Sequence, residues 1–130
     1  MSRTGGTERM TAILANALSR NHTVSILDLH GTGTSFFALE NAVSYQTLPQ
    51  KHPRSAIRSF LRKNNADIVI NVDIGMAIFG IPASMGMKTK VITWEHSNYY
   101  NNWGSRWFPY IRRLAVRFSD AVVVLTEQDK

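Results

Sequence analysis

The fold is decided by the stretch Asp-Ile-Val-Ile-Asn-Val at residues 67–72. It is apolar almost throughout rather than alternating, as is typical of a strand covered on both faces of a parallel sheet. A second run of this kind, Lys-Val-Ile-Thr-Trp, follows at residues 90–94 after a short apolar segment. We therefore predict two buried parallel strands joined by a crossover helix.

Helical and strand patterns alternate on both sides of these runs. We predict helices at about 7–20, 54–64, 75–87 and 105–118, and strands at about 23–29, 43–48, 67–72, 90–94 and 121–125. Pro82 should kink or divide the third helix. The alternation predicts an α/β fold with a Rossmann-like, doubly wound, mostly parallel sheet, in one domain spanning residues 1–130.

Two of the helices have apolar stripes that we expect to face the core. The first stripe comprises Met10, Ile13, Leu14, Ala17 and Leu18. The stripe of the last helix comprises Trp107, Ile111, Leu114, Ala115 and Phe118.

Composition narrows the classes of function. The chain of 130 residues has no cysteine, which excludes disulfides and cysteine–zinc sites. It has no apolar run near the roughly 20 residues needed to span a bilayer. The formal net charge of +6 favours anionic partners such as phosphate esters, acidic lipid or nucleic acid.

A pair of glycines, Gly5 and Gly6, directly precedes the first helix. Glycine allows a sharp turn and a close approach, and a helix start presents unpaired N–H groups to an anion. The pair predicts either a phosphate- or carboxylate-binding turn or a simple turn, and this local pattern alone does not choose between them.

Ligands of open α/β sheets bind beyond the carboxyl ends of the strands. Asp73 follows one predicted strand there, and Glu95 and His96 follow the next. His96 could position a hydroxyl group, or it could be bonded within its loop; the two carboxylates could equally cap helices. The four histidines, His22, His30, His52 and His96, show no metal-ligand spacing, so we predict no metal.

The ends of the chain are unusual for this fold. Only four residues precede Gly5, although a phosphate-binding turn normally follows a strand, and the chain stops as a further helix begins. We therefore expect a fragment that lacks the first strand, with a gap in the sheet at that place.

Several segments resemble the family 4 glycosyltransferases in order and spacing. These segments are Gly5-Gly6-Thr7-Glu8-Arg9, Val24-Ser25-Ile26-Leu27, Val91–Asn98 with its histidine, and Ser119–Glu127. That family has the GT-B fold, two Rossmann-like domains facing a cleft. The resemblance implies that this chain is an incomplete N-terminal, acceptor-side domain, without the donor-binding half.

The resemblance also implies a set of site residues. His96 would be the catalytic residue that contacts the acceptor or the reacting sugar. The residues that would bind substrate are Gly5, Gly6, Thr7, Asp73, Glu95, Ser97 and Asn98. The donor would be a nucleotide-diphosphate sugar held mainly by the missing C-terminal domain, with neither cofactor nor metal.

The parent would then be a retaining glycosyltransferase of the cell-surface polysaccharide type, acting on a glycan or lipid-linked acceptor, with this fragment alone inactive. We expect it in the cytoplasm at the inner face of a membrane, where its basic helices would face anionic lipid. Those basic residues are Arg54, Arg58, Arg62, Lys63, Arg106, Arg113 and Arg117. The alternatives are a basic nucleic-acid-binding α/β module, which lacks any recognition motif, and a GT-B sugar-nucleotide epimerase fragment.

Overall fold

A computed structural model describes residues 5–29, 31, 33–49, 51–96 and 106–125. The elements are α1 (Gly6–Leu18), β1 (Val24–Asp28), β2 (Val43–Thr47), α2 (Pro53–Lys63), β3 (Ile68–Val72), a 3-10 helix (Ile74–Met76), α3 (Ala77–Ser84), β4 (Lys90–Trp94), α4 (Phe108–Phe118) and β5 (Ala121–Val123). The chain divides into two compact units, an N-terminal unit, Met1–Ala56, and a C-terminal unit, Ile57–Lys130.

The N-terminal unit is built on a parallel pair of strands. β1 pairs with β2 in a register that runs from Val24 opposite Val43 to Asp28 opposite Thr47. The side chain of Asn16 on α1 fixes the segment between these strands, since it donates to the carbonyl of Ala38 and accepts from the amide of Glu40. The buried core of this unit comprises Ala15, Ile26 and Val43, with Val24, Leu39 and Tyr45 packed against it.

The predicted inward face of α1 is wrong in part. Met10 and Ile13 are exposed, whereas Ala12 and Ala15 are buried. The alanine side of the helix faces the core because its small side chains allow the helix to lie close to Ile26 and Val43.

The C-terminal unit holds a parallel three-stranded sheet in the order β3-β4-β5. Ile68 lies opposite Lys90 at one end of the β3–β4 pair and Val72 lies opposite Trp94 at the other. The helices α3 and α4 pack against each other, and α3 packs on β3 and β4. The buried core comprises Ile74, Ala77, Ile81, Val91 and Ala115, with Val69, Phe108 and Leu114 packed against it.

Three local predictions in this unit are wrong. β3 is not fully buried: as an edge strand of its sheet it leaves Ile68 54% exposed. Pro82 lies within α3 without dividing it, and the predicted helix is divided instead between the 3-10 helix and α3. Trp107 is 62% exposed, since α4 begins only after it, and Phe118, the last residue of α4, is exposed too.

The predicted fold class is confirmed: the described residues form a mixed α/β structure whose strands are all paired in parallel. We expected a sheet interrupted by a gap. The described strands are divided between a two-stranded sheet and a three-stranded sheet.

Candidate active site

The carboxyl ends of β3 and β4 lie side by side, and the pairing of the chain continues one residue past each strand. The amide of Asp73 donates to the carbonyl of Trp94 across 2.9 Å, and the amide of Glu95 donates to the carbonyl of Val123 across 2.9 Å. Asp73, Glu95 and His96 are therefore brought to one edge of one sheet, as predicted from their positions after the strands.

Asp73 has a strained backbone at this edge. Its φ of 74° and ψ of 140° lie in a region that residues with a side chain rarely occupy. Its carboxylate Oδ1 accepts a hydrogen bond of 2.9 Å from the amide of Gly75 and so caps the 3-10 helix. Strain of this kind costs about 1–3 kcal/mol, persists where the surroundings enforce it, and is concentrated at functional sites.

His96 is half-buried and lies against Trp94, with 4.2 Å between the ring centroids and 49° between the ring planes. Its Nε2 atom is buried, and within the described part of the chain no group is hydrogen-bonded to it. Burial lowers the pKa of the imidazole below its ordinary 6.5, while the carboxylate of Asp73 partly opposes this by raising it. At neutral pH the ring is therefore mainly uncharged, with one buried nitrogen that has no hydrogen-bond partner among the described residues.

Glu95 points into the protein rather than along the edge. Its Oε2 lies 3.7 Å from Nε of Arg112 on α4, and the two side chains are only 6% and 8% exposed. The guanidinium of Arg112 also lies over the ring of Phe108, 5.0 Å from its centroid. In this structure Glu95 forms a buried ion pair with Arg112, and its role in binding substrate stays a prediction.

Arg112 was missed by sequence reasoning, which placed only Arg106, Arg113 and Arg117 on α4. An arginine that neighbours other arginines in a helical sequence is normally assigned to the solvent-exposed face of the helix. The signal that could have revealed it is its spacing, four residues after Phe108 and three before Ala115, because positions three and four apart share one face of a helix.

The glycine pair lies at the start of α1 in the N-terminal unit. Gly5 is the N-cap in an extended conformation, and its carbonyl accepts from the amide of Arg9 across 3.2 Å. A Cβ on Gly6 would have no neighbour within 4 Å, whereas one on Gly5 would collide with the carboxylate of Glu8, so the first turn of α1 is open at Gly6 only. Thr7 lies in the same turn, and its carbonyl accepts from the hydroxyl of Thr11.

The remaining predicted site residues, Ser97 and Asn98, lie outside the described residues. No group of three His, Asp or Glu side chains able to hold a metal ion occurs in the described ranges. Among the helices described there, none is both long and apolar enough to cross a membrane.

Comparison with known proteins defines the protein family to which the chain belongs. The model of Glycosyltransferase Family 4 matches residues 4–130, which is nearly the whole chain. The chain therefore belongs to glycosyltransferase family 4.

Two curated relatives are similar over 97% of this chain and 38% of their own length. One, 36% identical, is the GalNAc-alpha-(1->4)-GalNAc-alpha-(1->3)-diNAcBac-PP-undecaprenol alpha-1,4-N-acetyl-D-galactosaminyltransferase of Campylobacter jejuni. The other, 30% identical, is an uncharacterized glycosyltransferase of Haemophilus influenzae. The chain thus spans well under half the length of the curated relatives that it matches.

Proposed function

We propose that this chain is the incomplete N-terminal, acceptor-binding domain of a retaining glycosyltransferase. The parent enzyme would transfer a sugar from a nucleotide-diphosphate sugar to a glycan or lipid-linked acceptor. The observation that carries the proposal is the position of His96, an uncharged imidazole at the carboxyl edge of a parallel sheet, whose buried Nε2 has no hydrogen-bond partner among the described residues. Ligands of open α/β sheets bind at this edge.

In this reaction the N-terminal domain would mainly orient the acceptor. In the reaction the acceptor oxygen forms a bond to the anomeric carbon, the bond from that carbon to the diphosphate oxygen breaks with its electron pair leaving on the diphosphate, and the proton of the acceptor hydroxyl passes to the departing diphosphate. An uncharged His96 can accept a hydrogen bond from the acceptor hydroxyl and hold its oxygen in place. The carboxylate of Asp73 would bind a second hydroxyl or keep the imidazole oriented.

Gly5, Gly6 and Thr7 would bind the donor's diphosphate. The first turn of α1, which is open at Gly6, presents N–H groups and the positive end of a helix dipole, which together favour a phosphate. Ser97 and Asn98, next in sequence to His96, would complete the acceptor site. The nucleotide itself would be held by a C-terminal domain that this chain does not include, so we expect residues 1–130 alone to be inactive.

The test is an assay of the complete gene product. We expect its reading frame to continue into a second Rossmann-like domain with two glutamates separated by seven residues, as the family resemblance implies. With a panel of nucleotide-diphosphate sugars and a polyprenyl-diphosphate-linked oligosaccharide as acceptor, it should transfer sugar with retention at the anomeric carbon. A gene that ends at Lys130, or an inverted product, would contradict the proposal.

The lipid-linked substrate in the Campylobacter relative's name supports an acceptor anchored in a membrane. We accordingly place the parent in the cytoplasm at the inner face of the membrane. α4 offers a suitable surface, since Arg106, Tyr110, Arg113 and Arg117 are exposed at helical spacing. The guanidinium of Arg106 also lies 5.5 Å from the centroid of the exposed Trp107 ring. Each basic residue near an anionic membrane contributes about 1 kcal/mol of attraction.

Vesicle binding tests this surface. The double variant Arg113→Gln/Arg117→Gln of the complete protein should bind phosphatidylglycerol vesicles more weakly, by up to about tenfold. Added salt should reduce this difference. The control Lys51→Gln/Lys88→Gln removes the same charge from exposed positions outside α4. Equal losses for both pairs would show that net charge alone acts, and would remove α4 from the membrane contact.

A further inference from the structure

A buried ion pair stands directly behind the candidate active site. Glu95 and Arg112 are both almost wholly withdrawn from solvent. Burying two charges costs several kcal/mol each, and replacing such a pair by apolar residues is often neutral or stabilising. Stability alone therefore does not explain an ion pair here, one residue from His96.

The backbone around Glu95 is held on both sides. The amide of Glu95 is bonded to the carbonyl of Val123 on β5, and the carbonyl of Trp94 accepts from the amide of Asp73 beyond β3. These bonds hold the main chain up to Glu95, and the ion pair of the Glu95 side chain adds an anchor directly before His96.

Neighbouring residues of an extended segment point to opposite faces of a sheet. Glu95 points toward α4, where it meets Arg112. His96 correspondingly lies on the other face, in contact with Trp94, which is two residues earlier and shares that face. An anchored Glu95 therefore keeps His96 on the Trp94 side.

The face of β4 to which Glu95 belongs becomes polar toward the carboxyl edge of the sheet. Val91 belongs to the apolar core. Thr93, two residues on, is fully buried and hydrogen-bonded to both Asn71 and Ser119, at 3.2 and 2.8 Å. Glu95, paired with Arg112, is the next residue on this face. The ion pair therefore extends the polar side chains of this face up to His96.

We propose that Arg112 is a positioning residue: through its ion pair with Glu95 it fixes the orientation of His96 at the edge of the sheet. This rests on the proposed function only in taking His96 as a residue of the transfer site. The orientation of the ring can be measured without any reaction.

The experiment uses four variants of the complete enzyme. Arg112→Met removes the charge, and Arg112→Lys keeps a charge that can still reach Glu95. Glu95→Gln/Arg112→Met leaves no buried charge, so that it folds even if Arg112→Met does not. Lys88→Met is the matched control, since Lys88 is exposed and lies in the same unit away from the edge.

Two readouts separate positioning from stability. One is whether kcat or KM changes, measured with a polyprenyl-diphosphate-linked oligosaccharide and a nucleotide-diphosphate sugar as substrates. The other is the nuclear Overhauser effect between the rings of Trp94 and His96, which reports their contact directly.

We expect Arg112→Met and the double variant to lose kcat by between about tenfold and 100-fold, because misplacement of a group by about 1 Å costs that much. KM should change little and the Trp94–His96 ring contact should weaken. Arg112→Lys should restore both readouts in large part, and Lys88→Met should match the wild type.

Full kcat and an unchanged ring contact in the folded double variant would overturn the proposal, because the pair would then serve stability alone. A wild-type enzyme without transfer activity would instead overturn the proposed function, while the ring contact would still decide the role of Arg112. A ring contact that is lost in Arg112→Met and kept in Arg112→Lys supports the proposal in either case.

Discussion

The amide of Asp73 donates to the carbonyl of Trp94 across 2.9 Å, just beyond the last paired residues of β3 and β4. Asp73 has a positive φ at this bond, and its carboxylate lies close enough to His96 to raise the pKa of the imidazole. The strained residue and the candidate catalytic histidine are thus joined through the end of one sheet.

The strain at Asp73 can be measured by comparing two substitutions. Asp73→Ala and Asp73→Gly both remove the cap on Gly75, but only glycine adopts a φ of 74° without steric cost. We expect the glycine variant to be more stable than the alanine variant by about 1–2 kcal/mol in urea unfolding. Equal stabilities would show that the backbone at Asp73 is not strained.

The pH dependence of His96 should respond to Asp73. Burial lowers the pKa of His96 and the Asp73 carboxylate raises it, so Asp73→Asn should lower that pKa further. Proton titration of the imidazole by NMR, and the acid limb of kcat/KM, should both move to lower pH. Asp67→Asn, an exposed carboxylate at the opposite end of β3, is the control and should leave both unchanged.

The direction in which pH changes the stability of the fold follows from the same shift in the pKa of His96. The folded pKa of His96 lies below its unfolded value of 6.5, so the folded state binds fewer protons between the two values. The stability that the uncharged ring contributes is complete above the unfolded pKa and is lost as pH falls toward the folded pKa. Asp73→Asn should extend this loss to lower pH.

Gly80 on α3 should not accept a side chain. A Cβ there would overlap Oδ1 of Asn71, whose amide is itself bonded to Thr93. Although alanine is the better helix former, overpacking should dominate, and Gly80→Ala should lower the free energy of unfolding by about 1–3 kcal/mol. Gly6→Ala, with free space around the new methyl group, is the control, and its stability should not fall. Similar stabilities for both variants would refute this packing.

Arg58 on α2 should stabilise the end of α3. Its Nη1 donates to the carbonyls of Ala83 and Met85, at 2.9 and 2.8 Å, which satisfies backbone acceptors at a helix terminus. Arg58→Met should cost about 1–3 kcal/mol in unfolding free energy. Arg62→Met removes the same charge from an exposed position one turn later and should cost under about 0.5 kcal/mol. If the two variants were equally stable, the bonds of Arg58 would contribute nothing.

The sequence predicted the order and type of the elements well, because the apolar runs at β3 and β4 and the helical stripes between them are local signals. It also predicted that Asp73, Glu95 and His96 lie at one edge of the sheet, since the carboxyl ends of neighbouring parallel strands meet there. Both results depend on periodicity and topology alone.

Burial and conformation at single positions were less predictable. The helical spacing of Arg112 places it on the face of Phe108 and Ala115, but no helical pattern reveals that the buried carboxylate of Glu95, from another part of the chain, pairs with it. Ile68 is exposed because β3 is an edge strand, which depends on which strands pair. The positive φ of Asp73 occurs where its amide is bonded to Trp94, and local sequence does not reveal a contact between residues so far apart in the chain.

The most direct test of the account is sugar transfer by the complete enzyme carrying His96→Ala. Its acceptor would be the polyprenyl-diphosphate-linked oligosaccharide, and circular dichroism would confirm that the variant is folded. We expect transfer to fall by about tenfold or more, with thermal unfolding close to that of the wild type, because orientation of the acceptor hydroxyl is lost. Unchanged transfer by the folded variant would contradict the account and remove His96 from the site.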